Sequence, residues 1–156
     1  MTFYYSYIFK NIGRLTIVEE KGKLSAVLLH GGTPFGTRRE TPLILRAKTQ
    51  LEEYFAGTRK VFDLPCNARG TEFQKRVWEE LSRIPYGKTL SYGEVAKNVA
   101  NARASRAVGS ACNKNPLCII VPCHRVIGSN GRLVGYAHGI ALKQQLLELE
   151  KRNCIQ

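Results

Sequence analysis

The stretch SYGEVAKNVANARASRAVGSACN, residues 91–113, decides how this chain folds. Ser91 followed three residues later by Glu94 is a capping box, in which the two residues satisfy each other's free backbone N–H groups at a helix start. The helix it opens carries Val95 and Val99, residues 98–103 read as a turn, and residues 104–113 form a second helical stretch. Two short helices joined by a tight turn predict a helix-turn-helix. The second helix is unusually slim: Ala104, Ala107, Gly109, Ser110 and Ala111 leave Arg106 as its main long side chain. Small residues let a backbone approach closely, either to a neighbouring helix or to a nucleic-acid groove.

Working outward, Thr71 and Gln74 form another capping box ahead of Phe73, Val77, Trp78, Leu81 and Ile84, an amphipathic helix that Pro85-Tyr86-Gly87 breaks. After the slim helix come Asn115-Pro116, a β-like run over 118–121, and a hairpin turn signal at Ser129-Asn130-Gly131. A glycine-flanked loop, 135–139, leads into a last helix over 140–151. The first third alternates differently. Runs at 3–9, 14–18 and 24–30 read as strands separated by turn signals. Thr41-Pro42 then starts a helix with Leu43, Ala47, Leu51, Tyr54 and Phe55 at helical spacing, and Gly57 ends it. Residues 60–64 read as one more strand, and 65–70 as a linker. The expected class is therefore α+β. Residues 1–66 form a small β-rich N-terminal domain with an antiparallel sheet and a helix, and residues 70–156 a mostly helical C-terminal domain containing the helix-turn-helix.

The chain has 156 residues, 44% hydrophobic and 23% charged, which excludes disorder and fibrous architectures. Its longest apolar runs fall far short of a bilayer span, and Met1 is not followed by a basic segment and an apolar one. No membrane association is expected, and the expected location is the cytoplasm, or the nucleus in a eukaryote. The formal charge is +12, and no acidic residue occurs between Glu94 and Glu148. Lys97, Arg103, Arg106, Lys114, Arg125, Arg132 and Lys143 all fall in that gap, a sustained positive field suited to a polyanion such as nucleic acid. Five cysteines without framework spacing, in a chain with no secretory signal, predict reduced thiols. Cys112, Cys118, Cys123 and His124 match no common zinc spacing, so no metal and no cofactor are expected.

The segment PCHRV at 122–126 completes a pattern. Preceded by Arg106-Ala-Val-Gly109 and Asn115-Pro116, and followed by Gly135-Tyr136 and Glu150, it resembles the O6-alkylguanine-DNA alkyltransferases, or methylated-DNA–protein-cysteine methyltransferases. The likeness is close from about residue 71 to 150; the N-terminal part shares the family's length and its β-then-helix order. The resemblance implies a ribonuclease-H-like first domain, a winged-helix-like second domain, and direct reversal of DNA alkylation by a suicide methyltransferase. An alkyl group would pass, once per molecule, from O6-alkylguanine in double-stranded DNA (less well from O4-alkylthymine) to Cys123.

It also implies roles by position. Cys123 would be the nucleophile, His124 its general base acting through a water, and Glu150 the carboxylate that fixes the imidazole tautomer. Tyr136 would donate to the guanine ring. Arg106 would fill the space left by the flipped nucleotide and Tyr92 would crowd its phosphate, while Ala107, Gly109, Ser110 and Arg125 would serve the DNA interface. The slim helix would enter the minor groove, with little sequence preference. Asn115 would be a hinge beside the cysteine turn, and Val126, Gly135, Ala137 and His138 would line the base pocket. Ala137 stands where some relatives have serine, and His138 where glycine is frequent. A monomer is expected. The rival readings are a helix-turn-helix regulator, which leaves Cys123, His124 and Glu150 unexplained, and a non-repairing lesion-binding protein, which Cys123 argues against.

Overall fold

A computed structural model describes residues 1–30, 34–136 and 138–154. The chain divides into two compact units: Met1–Arg69 with Pro116–Ile120, and Gly70–Asn115 with Val121–Gln156. The class is α+β, as expected.

The first unit is a four-stranded sheet with one helix. Strands β1 (Thr2–Phe9), β2 (Gly13–Glu20) and β3 (Lys23–Leu29) form an antiparallel meander. A two-residue strand β4 (Thr37–Arg38) lies parallel to β1, so the sheet is mixed, in the order β3-β2-β1-β4. Helix α1 (Pro42–Phe55) begins where Thr41 Oγ1 accepts the Ile44 N–H at 3.1 Å, and packs Ile44, Ala47, Leu51 and Tyr54 inward. Leu15 and Ile17 of β2, both fully buried, share the helix-facing side with an aromatic file of Tyr5, Tyr7 and Phe9 that ends on Phe55.

The strand expected at 60–64 does not form. Gln50 of α1 takes the backbone groups such a strand would offer: its Oε1 accepts the Asp63 N–H at 2.9 Å and its Nε2 donates to the Asp63 carbonyl at 3.1 Å. Just beyond it, Cys66 makes a single bridge to β3, opposite Leu24. The β-like run at 118–121 is likewise not a strand. Cys118 and Val121 make no more than single bridges, next to the one between Leu117 and Val27, and between them Ile119 adopts φ 72°, a left-handed conformation costly for a β-branched residue.

The second unit builds on α2 (Glu72–Leu81), whose capping box of Thr71 and Gln74 forms. Trp78 Nε1 donates to the Ala111 carbonyl at 2.8 Å, which ties α2 to the slim helix through a buried bond. Helix α3 (Tyr92–Val99), capped by Ser91 and Glu94, is followed by a single 3-10 turn (Ala102–Ala104) and by α4 (Ser105–Asn113). This is the helix-turn-helix the sequence predicts. Two-residue strands β5 (Leu90–Ser91) and β6 (Val126–Ile127), absent from the sequence reading, pair in parallel. Helix α5 (Ile140–Asn153) closes the unit with Leu142, Leu146 and Leu149 facing inward.

Candidate active site

The second unit hides an unusual amount of polarity. His124, Lys143 and Glu150 are 0% exposed and Arg125 is 7% exposed. They surround a 3-10 turn, Cys123–Arg125, that follows Pro122 and runs directly into β6. The turn places the Cys123 thiol inward, at 5% exposure.

Glu150, one turn from the end of α5, binds the groups around it with both oxygens. Its Oε2 lies 2.7 Å from His124 Nε2 and accepts from Arg125 Nη2 at 3.0 Å. Its Oε1 accepts from Arg125 Nε at 2.8 Å and from the Gly87 N–H at 3.1 Å. Burial alone would raise the carboxyl's pKa, but the hydrogen bonds from His124 and Arg125 and the charge of Arg125 prevail and bring it down to about 2. Burial lowers that of His124, with Glu150 opposing and the cations Arg125 and Lys143 assisting, so the imidazole is neutral. An ionised carboxylate can only accept, so His124 Nε2 carries the ring's proton.

Around the sulfur, burial raises the thiol's pKa. A hydrogen bond from the Asn115 side chain, the charge of Lys143 and a backbone hydrogen bond pull the other way. Asn115 also donates Nδ2 to the Val121 carbonyl at 2.9 Å, so one amide braces the chain entering the turn and favours the thiolate. Lys143 Nζ donates to the Val134 carbonyl at 2.8 Å, a carbonyl that also accepts the Tyr92 hydroxyl at 2.9 Å. Cys112, on the buried side of α4, is pushed up to about 12, first by burial and then by the charge of a Cys123 thiolate.

The residues singled out in the sequence fall in three places. Cys123, His124, Glu150 and Asn115 meet at the turn. Tyr92 closes over the loop after β6: a Cβ added at Gly135, whose φ is +71°, would lie 2.8 Å from its hydroxyl oxygen. Tyr136 is buried with its ring 5.4 Å from that of half-buried His138, Val126 is fully buried in β6, and Ala137 lies outside the described residues. Arg106, Ala107 and Ser110 are exposed on α4, while Gly109 is half-buried, with Tyr92 Cε1 3.9 Å from the position of an added Cβ.

One expectation is corrected. Arg125 does not reach a DNA-facing surface: it is buried, with both sides of its guanidinium committed to Glu150 and Nη1 donating to the Ile84 carbonyl at 2.7 Å. Lys143, read only as part of a basic stretch, turns out to be the cation beside the thiol. Its signal was available, because Lys143 and Glu150 are seven residues apart, two turns along one helix face. Of the seven basic residues in the acid-free gap, Lys97, Arg103, Arg106, Lys114 and Arg132 are exposed, and Arg125 and Lys143 are inside.

The fold and site define a helix-turn-helix protein with a buried thiol set in a braced polar network. Two family models match, described as the 6-O-methylguanine DNA methyltransferase DNA binding domain over residues 72–152 and its ribonuclease-like domain over residues 3–68. A methylated-DNA–protein-cysteine methyltransferase of Methanosarcina acetivorans is 62% identical over 104 residues, 67% of each chain. That of Methanosarcina barkeri is 44% identical over 155 residues, covering 96% of this chain and 98% of the other. Among solved structures, Mycobacterium tuberculosis OGT in complex with DNA superposes with a TM-score of 0.89 at 44% identity, covering 97% of this chain and 94% of that one. The chain belongs to the 6-O-methylguanine DNA methyltransferase family, the O6-alkylguanine-DNA alkyltransferases.

Proposed function

We propose that this protein repairs DNA by transferring the alkyl group of O6-alkylguanine to Cys123, one group per molecule, after drawing the damaged nucleotide out of the duplex. Cys123 Sγ attacks the alkyl carbon; the S–C bond forms as the C–O6 bond breaks, and the bonding pair leaves on the guanine. His124 receives the thiol proton on Nδ1 through a water, and the resulting imidazolium is stabilised by Glu150. Tyr136 donates to the purine ring as its negative charge grows. The product thioether is a poor leaving group, so the acceptor is spent. O4-alkylthymine is a poorer donor.

DNA lies against α4, where Ala107, Gly109 and Ser110 let the backbone enter the minor groove and exposed Arg106 replaces the extruded base. Tyr92 presses on the adjacent phosphate. Asn115 is the hinge between α4 and the cysteine turn, and Val126, Gly135 and His138 line the base pocket. A single chain suffices, since these residues all belong to one copy of it.

The observation that carries the reading is Cys123, at 5% exposure, followed directly by a fully buried His124 whose Nε2 is 2.7 Å from Glu150. An inert core thiol requires no such neighbour. The test uses an oligonucleotide duplex with a radiolabelled O6-methylguanine: label is expected on the peptide containing Cys123. Label that persists in a Cys123→Ala variant contradicts the assignment.

A further inference from the structure

We propose that Arg125 is a positioning residue for alkyl transfer: its guanidinium fixes Glu150 so that His124 presents Nδ1, not Nε2, as its basic nitrogen. This rests on the function proposed above and adds a residue to its machinery.

The geometry carries it. Four donors converge on one carboxylate, two per oxygen, and Arg125 supplies one to each: Nε to Oε1 at 2.8 Å and Nη2 to Oε2 at 3.0 Å. The fork is itself held, since Nη1 donates to the Ile84 carbonyl at 2.7 Å and the guanidinium carbon sits 5.7 Å from the centre of the Tyr86 ring. Arginine keeps its charge across the whole range in which proteins work, and its planar pair of donors matches a carboxylate in a way that lysine does not. Glu150 is completely buried, so without that cation the neutral acid is favoured. A protonated Glu150 could donate to His124 Nε2. The imidazole proton would then move to Nδ1, the nitrogen needed for the Cys123 proton.

The other groups facing this cluster do not replace Arg125. Tyr86, whose pKa burial and the charge of Glu150 raise, carries no positive charge to offer the carboxylate. The Gly87 N–H is a neutral donor, and Lys143 acts on His124 and on Cys123 rather than on the carboxylate.

The experiment compares the wild type with Arg125→Lys and Arg125→Ala. Single-turnover alkylation of Cys123 by free O6-benzylguanine is followed from about pH 5 to 9, and long-range 1H–15N NMR reads the His124 tautomer. Each variant is first checked for a cooperative thermal transition. Wild type is expected to show a single His124 tautomer with the proton on Nε2. Arg125→Lys is expected to lose about tenfold in rate at pH 5 and little at the alkaline end, as a buried carboxyl lifted from about 2 to about 6 would give. Arg125→Ala is expected to lose more, with partial recovery on adding guanidinium. A loss uniform across pH, with the tautomer unchanged, overturns the proposal and leaves Arg125 a structural ion pair. Should Arg125→Ala not fold, Arg125→Lys and the wild-type tautomer still decide: an Nδ1–H tautomer in wild type overturns it. If wild type takes no alkyl group at all, the proposed function fails, while the tautomer measurement still tests Arg125.

Discussion

The exposed face of α4 and the buried turn that holds Cys123 lie in the same unit, and both are rich in positive charge. They use it in opposite ways. On α4 and its surroundings the cations stand in solvent beside small residues, Arg106 next to Ala107 and near Ser110. At the turn Arg125 and Lys143 are buried, and their donors point at Glu150, Ile84 and Val134. Charges in water are screened over about 8 Å at physiological salt, whereas buried ones are screened far less. Binding of DNA and chemistry at the thiol are therefore separable: the first should respond to salt and the second to pH.

The largest effect is expected at the buried pole. Glu150→Ala leaves Arg125 buried without its counter-charge, a change that typically costs about 3–5 kcal/mol. It should lower the thermal midpoint and abolish transfer from duplex and free base alike. A variant that keeps wild-type stability would show that the network is not what holds the turn. Acid should attack the same pole. Below about pH 6.5 the unfolded chain protonates its histidine, while folded His124 resists. Further down, Glu150 contributes stability present above the ordinary carboxylate range and lost as pH falls toward its folded value of about 2. That contribution is on the order of 3 kcal/mol. Denaturant melts at stepped pH should decline steadily from neutral to acid; a flat profile breaks the comparison.

At the exposed pole, Arg106→Ala is expected to slow repair of duplex lesions by about 100-fold, the scale of a few kcal/mol lost from extrusion. Reaction with free O6-benzylguanine should barely change, and equal losses would merge the two poles. DNA affinity should fall with salt at a log–log slope of about 0.9 per phosphate contacted, while the free-base rate stays level. The smallest effect belongs to neither pole: Thr71→Ala removes the capping box of α2 and should cost about 1 kcal/mol in melts with no change in transfer rate.

The sequence displayed some of these features openly and concealed others. The capping boxes at Thr71 and Ser91 and the proline start after Thr41 mark helices because local hydrogen bonding sets those ends. The strands β4, β5 and β6 were not legible, since a two-residue pairing exists only once distant segments meet. The same holds for 60–64, where a glutamine side chain rather than a strand answers the backbone, and for Ile119, whose left-handed turn no propensity suggests. At the site, Cys123, His124, Asn115 and Glu150 were named from the family resemblance, and they do come together. The inward course of Arg125 and Lys143 was missed, because a count of charges along a chain carries no record of which side each one takes.

The most direct measurement is a titration of the intact protein with a growing excess of O6-methylguanine duplex, followed by whole-protein mass spectrometry and by restored guanine. Restored guanine should stop rising at one equivalent per chain, with a single methyl group retained and Cys123 unreactive to a thiol reagent afterwards. Continued release of guanine beyond that point, or a protein that emerges unmodified, would contradict the account.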